Sequence, residues 1–292
     1  MVTYTDPLTG KELSYHIDKK LRTKWDKIRN GQLAKDDDDR VYIVDGRERT
    51  GKSLFTLQQA KYLDPNFNLD RVCFTPKEFL HQIRNAPKGS CVVFDEAFRG
   101  LSSKGSQSKV NKMIVQAMME MGQRNLIVFI VLPTFFLLEM YAAVLRSHVL
   151  FHVFKDSKGT RRVRTYNYQK KSLLYNVGKK KGFSYAWPRV KYNSRFFNIY
   201  PIDEKSYRDK KYQALRDMEE FKEETESEKG QEKMKALHIS YLKQKEINPE
   251  LTKKVFVDMM KEAGIKITYT NFLNWWSRHG KTDKHLESQA HS

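Results

Sequence analysis

The sequence predicts an α/β fold, a parallel sheet with helices on both faces, followed by a small all-α module. Three observations carry that expectation. Short apolar runs bounded by turn residues alternate with helix-length amphipathic segments between residues 41 and 154. The first run, Val41-Tyr42-Ile43-Val44, leads through Asp45-Gly46-Arg47-Glu48-Arg49-Thr50-Gly51-Lys52-Ser53 into the helix-favouring Leu54-Phe55-Thr56-Leu57. A later run, Cys91-Val92-Val93-Phe94, closes in Asp95-Glu96.

The first loop reads G-x-x-x-x-G-K-S between a strand and a helix, the context a Walker A phosphate loop needs. Gly46 and Gly51 let the backbone curl so that N–H groups point inward at phosphate oxygens. The following helix adds the positive end of its dipole. Residues 46–54 (Gly46, Arg47, Glu48, Arg49, Thr50, Gly51, Lys52, Ser53 and Leu54) are therefore the expected ATP-binding set. Lys52 reaches the β- and γ-phosphates as a point charge, and the Ser53 hydroxyl is a ligand for Mg²⁺. Bulky Arg47, Glu48 and Arg49 stand where many such loops carry small residues. The Asp95-Glu96 strand end fits a Walker B element, which on a parallel sheet lies beside the loop. Asp95 would hold Mg²⁺ through water and Glu96 would orient the attacking water.

The chain has 292 residues, enough for one nucleotide-binding domain and a smaller appendage. Its 54 Lys and Arg exceed its 35 Asp and Glu, for a net charge of +19. Such a balance points to a polyanionic partner, nucleic acid first, with a merely basic surface or an anionic membrane as alternatives. Cys73 and Cys91 both sit in apolar runs and read as buried thiols of a reducing compartment, not a disulfide. The N-terminus has no apolar signal core, and the most apolar stretch, residues 126–138, is short and broken by Pro133. A cytoplasmic protein without an integral membrane segment is expected, in the host cytoplasm if viral, with membrane or virion association only through partners.

Residues 1–39 read as a peripheral N-terminal extension holding one amphipathic helix, with Leu21, Trp25 and Ile28 on one face and Asn30-Gly31 as its stop. The acidic run Asp36 to Asp39 reads as a solvated turn. Residues 40–204 are the expected ATPase domain. After the first helix, residues 71–74 form a strand, and Thr75-Pro76-Lys77-Glu78 start a helix with a capping box and Pro at the first position. Residues 101–110 read as a flexible loop, 111–121 as a helix, 126–131 as a buried strand, 134–145 as a helix and 147–154 as a strand. A hairpin turning at Asp156-Ser157-Lys158-Gly159 returns through Arg161, Arg162 and Arg164 and extends the sheet edge. Residues 169–208 are basic and aromatic. Nucleic-acid binding and a segment wrapping the core are both open there.

Residues 205–246 are a charged helical linker or helical hairpin, broken near Gly230. Residues 247–282 form the terminal module. Leu251, Val255, Met259 and Ala263 mark one helix, Gly264 a turn, and a second helix, capped by Thr268 or Thr270, carries Phe272 and Trp275. The spacing matches a helix-turn-helix, which offers Tyr269, Asn271, Asn274, Arg278 and Lys281 to a DNA major groove. A helical protein-docking module fits the same pattern. Residues 283–292 read as a disordered tail.

Over residues 40–210 the ordered stretches GRERTGKS, VVFDEAFRG and MGQRNLIVFIVLP resemble the FtsK–HerA-type P-loop ATPases, nearest their zonular occludens toxin-like branch of viruses and mobile elements. The resemblance implies a RecA/FtsK-like P-loop core that assembles as a homo-oligomer, a hexameric ring in most members. In such a ring an arginine of one subunit reaches the neighbour's γ-phosphate, and Arg124, Arg146 and, behind them, Arg99 are the candidates. The family's apolar strand usually ends in a polar Thr-Gln pair. Here Val131-Leu132-Pro133-Thr134 replaces it, leaving Thr134 as the displaced polar group. The implied activity is Mg²⁺-dependent ATP hydrolysis driving translocation, packaging or transfer of double-stranded DNA of a virus or mobile element, together with its assembly proteins. An ATP-switched DNA-binding regulator with slow hydrolysis, and a virus morphogenesis ATPase, are the alternatives.

Overall fold

Apolar runs in this chain are apolar at every position because both faces of their sheet are covered. The computed structural model describes residues 1–5, 10, 12–95, 104–190 and 193–279. It divides into two compact units, residues 1–215 and 216–292. The first unit opens with the strands β1 (Val2–Thr5) and β2 (Glu12–Tyr15), which pair antiparallel with each other. The helices α1 (Lys19–Lys27) and α2 (Leu33–Asp36) follow, then β3 (Arg40–Asp45), α3 (Lys52–Leu63), β4 (Val72–Cys73), α4 (Pro76–Asn85) and β5 (Cys91–Phe94). Next come α5 (Lys104–Glu120), β6 (Ile127–Leu132), β7 (Val149–Lys155), β8 (Arg161–Tyr166), α6 (Tyr168–Leu173) and β9 (Asn193–Arg195).

The main sheet has the order β4-β5-β6-β3-β7-β8-β9. The five strands from β4 to β7 run parallel, and β8 and β9 extend the edge antiparallel. Successive side chains of a strand face opposite sides. Val41, Ile43, Val92, Phe94, Val128 and Ile130 therefore pack with Phe79 and Ile83 of α4 and Ile114, Ala117 and Met118 of α5. Tyr42, Val44, Cys91, Val93, Phe129 and Val131 pack on the other face with Leu21 and Trp25 of α1 and Phe55, Leu57 and Ala60 of α3. The α/β architecture with helices on both faces of a mostly parallel sheet is as expected. Cys73 and Cys91 are buried free thiols.

Several local expectations need correction. The N-terminal residues are not peripheral: Tyr15, Ile17, Leu21, Trp25 and Leu33 belong to the main core, and the Tyr15 hydroxyl and Trp25 Nε1 donate to the Gln58 carbonyl and Gln59 Oε1 of α3. The acidic run is not a solvated turn throughout. Asp39 is buried and paired with Arg146, and Asp37 accepts from Asn125 Nδ2 at 3.0 Å. The loop expected at 101–110 is helical from Lys104 (residues 101–103 lie outside the described ones), because burial of Val110 and Asn111 outweighs the weak helix propensity of Ser and Gly. No continuous helix fills 134–145, only short turns at Phe135–Leu137 and Tyr141–Arg146. Side chains there take backbone donors that a helix would use: Asp45 Oδ2 accepts from Phe135 N at 2.8 Å, and Asn111 Oδ1 from Glu139 N at 3.0 Å. Of the aromatics in 169–208, Tyr175, Phe196 and Tyr207 are buried against the core, whereas Phe183, Trp187 and Phe197 are exposed.

The helix α7 (Glu204–Ile247) runs unbroken through Gly230. One glycine costs about 1 kcal/mol in a helix, too little to end one rich in Glu, Lys and Met. Its first turns bury Tyr207 and Ala214 in the first unit's core. In the second unit, Leu237 and Tyr241 of α7 pack with α8 (Lys253–Glu262) and α9 (Tyr269–His279). Phe256 and Val257 are buried there while Val255 and Met259 are exposed, so α8 turns a different face inward from the one the spacing suggested. Phe272 is buried against Phe256 with ring centroids 5.8 Å apart, and Thr268 Oγ1 caps α9 by accepting from Asn271 N at 3.2 Å. No helix among the described residues is long and apolar enough to cross a membrane.

Candidate nucleotide site

The loop leaves the carboxyl end of β3 at a backbone position closed to any side chain. Gly46 has φ +145, and a Cβ there would lie 2.0 Å from the Val153 carbonyl oxygen of β7. Gly51, at φ +97, is the last residue before α3, and Arg49 also adopts a left-handed φ of 59. The loop folds back around the Lys52 ammonium, which donates to the Gly46 and Arg47 carbonyls at 2.8 and 3.0 Å. Thr50 Oγ1 closes the turn by donating to the Arg47 carbonyl at 2.8 Å. Arg47, Glu48 and Arg49 point outward and are exposed, which is how bulky residues are tolerated in this loop.

Ser53, in the first turn of α3, donates from Oγ to Asp95 Oδ1 at 3.0 Å. Asp95 follows β5 and is 1% exposed. Since β6 separates β5 from β3, only the carboxyl-end loops bring these two residues together. The pair is a hydroxyl and a carboxylate, the all-oxygen set that Mg²⁺ takes. Two groups of α7 complete the Asp95 surroundings. The Tyr207 hydroxyl donates to Oδ2, and Lys211 Nζ lies 3.8 Å from the same oxygen. Burial, and then the Asp95 charge, push the Tyr207 phenol well above its ordinary range, so it stays a proton donor.

A second carboxylate roots the loop. Asp45, fully buried at the end of β3, accepts from Phe135 N, accepts from the Tyr185 hydroxyl and pairs with His152 Nδ1 at 2.9 Å. The Tyr185 ring stacks on His152 with centroids 3.9 Å apart, and its phenol is pushed upward by burial and by Asp45. Thr134 Oγ1 lies 3.0 Å from the Tyr185 oxygen. The polar group considered as a displaced sensor thus belongs to this network, and the cleft wall beside it is Leu132 and Pro133. Nothing in the sequence marked Asp45, which reads as the ordinary end of a buried strand.

A cleft of about 640 Å³ lies over the loop. Besides loop residues it is lined by Arg161 of β8, by Asn198 and Tyr200, and by Tyr207, Arg208 and Lys211 of α7. Of these, only Arg161 carried a sequence signal, as part of the basic return strand of the hairpin. Glu96 and Arg99 lie outside the described residues. Arg124 and Arg146 precede β6 and β7, at the end of the sheet opposite the loop. Arg124 donates to the Ala86 carbonyl at 3.1 Å, and Arg146 is engaged by Asp39. Within one chain neither reaches the phosphate loop.

In the second unit, Tyr269, Asn271 and Asn274 are exposed on α9. The Arg278 side chain and Lys281 lie outside the described residues.

No protein-family model matches the chain, and no curated protein matches it in sequence. Among solved structures it is similar to the N-terminal domain of zonular occludens toxin from Neisseria meningitidis, at 14% identity and a TM-score of 0.29, over 44% of this chain and 84% of that one. It is also similar to the ATPase domain of a replicative helicase, at 10% identity and a TM-score of 0.33, over 53% of this chain and 91% of that one.

Proposed function

We propose that this chain is a Mg²⁺-dependent ATP hydrolase that works on DNA. One contact carries the hydrolase part: the Ser53–Asp95 hydrogen bond, which joins the phosphate loop to the acidic strand end at 3.0 Å. Loop amides and Lys52 bind the phosphates, and Ser53 and Asp95 hold the ion. When bound, Mg²⁺ neutralises charge on the β- and γ-phosphate oxygens. Glu96, next to Asp95 in sequence, orients the attacking water and accepts its proton. The chain's contribution is therefore positioning and charge stabilisation.

Two features support DNA as the substrate of that work. The chain carries a net charge of +19, and α9 presents exposed Tyr269, Asn271 and Asn274, with Arg278 and Lys281 following in sequence. Translocation, packaging or transfer of viral or mobile-element DNA by a homo-oligomeric ring is the form we favour. Arg124, bonded only to a backbone carbonyl, is a better candidate to act on a neighbouring subunit than Arg146, which Asp39 engages. A second reading, an ATP-switched DNA-binding protein with slow turnover, is favoured by Leu132 and Pro133 lining the cleft where a polar sensor would stand.

ATP hydrolysis by the wild type, Lys52→Ala and Glu96→Gln, with and without double-stranded DNA, together with the mass of the ATP-bound assembly, tests both. A DNA-working hydrolase shows turnover that DNA stimulates and both substitutions abolish. A switch shows nucleotide-dependent DNA binding with little stimulation. Turnover indifferent to DNA and to Glu96→Gln, in a monomer, would refute the favoured form.

A further inference from the structure

The phosphate-loop motif supplies one cation, Lys52, and its ammonium is engaged with loop carbonyls. A second cation reaches the same loop from the hairpin strand. A Cβ placed on Gly51 would lie 3.1 Å from Arg161 Cδ and 3.2 Å from its Nε, so the Arg161 side chain passes directly across the residue preceding Lys52. Arg161 Nη1 donates to Asn198 Oδ1 at 2.6 Å, and both residues line the cleft with Lys52 and Ser53.

The partners of the neighbouring cations make Arg161 distinctive. On the same strand, Arg162 pairs with Asp156, and Arg164 lies over the Phe154 ring. Across the cleft, Arg208 is held by Glu204, and Lys211 lies beside Asp95. Arg161 has a neutral amide as its partner and pairs with no carboxylate among the described residues. Asn198 accepts one of five guanidinium N–H donors, which aims the fork without neutralising its charge. A guanidinium held beside inward-pointing loop amides concentrates positive potential, and the ligand chemistry that answers a planar, charged donor fork is a phosphate chain.

We propose that Arg161 binds the polyphosphate of the nucleotide in cis, and that Asn198 is its positioning residue. This rests on the nucleotide reading above. It assigns to the hairpin strand β8 a binding role that the loop motif does not contain.

The test titrates ATP and ADP, with Mg²⁺, into the full-length wild type, Arg161→Gln, Arg161→Lys, Asn198→Ala and Lys52→Ala. Arg161→Gln retains a donor for Asn198 and removes only the charge. It is expected to weaken both nucleotides about ten- to a hundredfold, the range of a charge-assisted hydrogen bond. Arg161→Lys should recover part of that loss and Asn198→Ala should fall between, while the nucleotide-free melting temperature of Arg161→Gln stays at the wild-type value. Wild-type affinity in Arg161→Gln, with binding lost in Lys52→Ala, would overturn the Arg161 assignment and leave the nucleotide site standing. Wild-type affinity in Lys52→Ala as well would overturn both.

Discussion

Lys171 of α6 should make the protein more stable as the solution turns alkaline. Its side chain is 0% exposed, and its Nζ donates to the Ser147 carbonyl and, at 2.6 Å, to Ser147 Oγ. Ser147 Oγ in turn donates to the Ala143 carbonyl at 2.7 Å, so the ammonium sits at the head of a short chain of neutral acceptors. Burial without a counter-ion lowers its pKa to about 7, against 10.5 for the ordinary side chain. Between those two values the unfolded chain binds a proton that the folded one does not, so stability rises with pH across that window. Each pH unit contributes up to about 1.4 kcal/mol, and allowing for partial titration near pH 7, the gain from pH 7 to about 9.5 is roughly 3 kcal/mol. Lys171→Met keeps the length and the buried stem but cannot titrate. Urea unfolding of both proteins across this range gives the difference directly, because groups common to both cancel. The wild type should gain roughly 3 kcal/mol on the variant. A difference constant with pH would show that Lys171 titrates alike in both states, and would refute the argument from burial.

Three further outcomes follow from other parts of the fold. Gly46→Ala forces a Cβ into the Val153 carbonyl at a backbone angle that alanine disfavours, so thermal melting should drop and nucleotide titration should fail; a wild-type melt would mean that the loop and β7 separate freely. His148 accepts from Val41 N at 3.1 Å, and burial lowers its pKa to about 4 from 6.5. The unfolded state binds the extra proton in that interval, so stability falls as pH drops from about 6.5 towards 4, and His148→Gln should flatten that limb in pH-dependent unfolding. Phe272→Ala empties the centre of the second unit and should cost about 3–5 kcal/mol, read from the urea transition of Trp275 and Trp276 fluorescence; a loss under about 1 kcal/mol would mean that the helices repack without it.

What was readable in the sequence follows the range of the forces involved. Strands of the sheet centre announced themselves because both faces are buried, and the helix at Thr75 because its cap is local: Thr75 Oγ1 accepts from Glu78 N, and Glu78 Oε2 from Thr75 N. The turn at residues 156–159 is local in the same way, with Asp156 Oδ1 accepting from Lys158 N and Thr160 N. The stretch 134–145 misled because its helical spacing is real, while the groups that disrupt it, Asp45 and Asn111, come from distant positions. The loop and Asp95 were legible as a spaced pair of motifs. Arg161, Asn198 and Tyr207 were not, since their approach depends on the docking of the hairpin and of α7, and no local pattern encodes that.

The Asp45 carboxylate has a consequence for how this part of the molecule breathes. It binds one backbone amide, one phenol and one imidazole from three separated segments, immediately before Gly46. Amide protons in irregular segments usually exchange with solvent quickly, since such segments open without disturbing their surroundings. Phe135 N lies in an irregular turn just after Pro133, yet its bond ends on a fully buried acid at the root of the loop. Releasing it means exposing Asp45, and so parting the ends of β3 and β7 at once. Its deuterium uptake should therefore keep pace with the β3 core amides, and the base of the phosphate loop should open only when the centre of the sheet does.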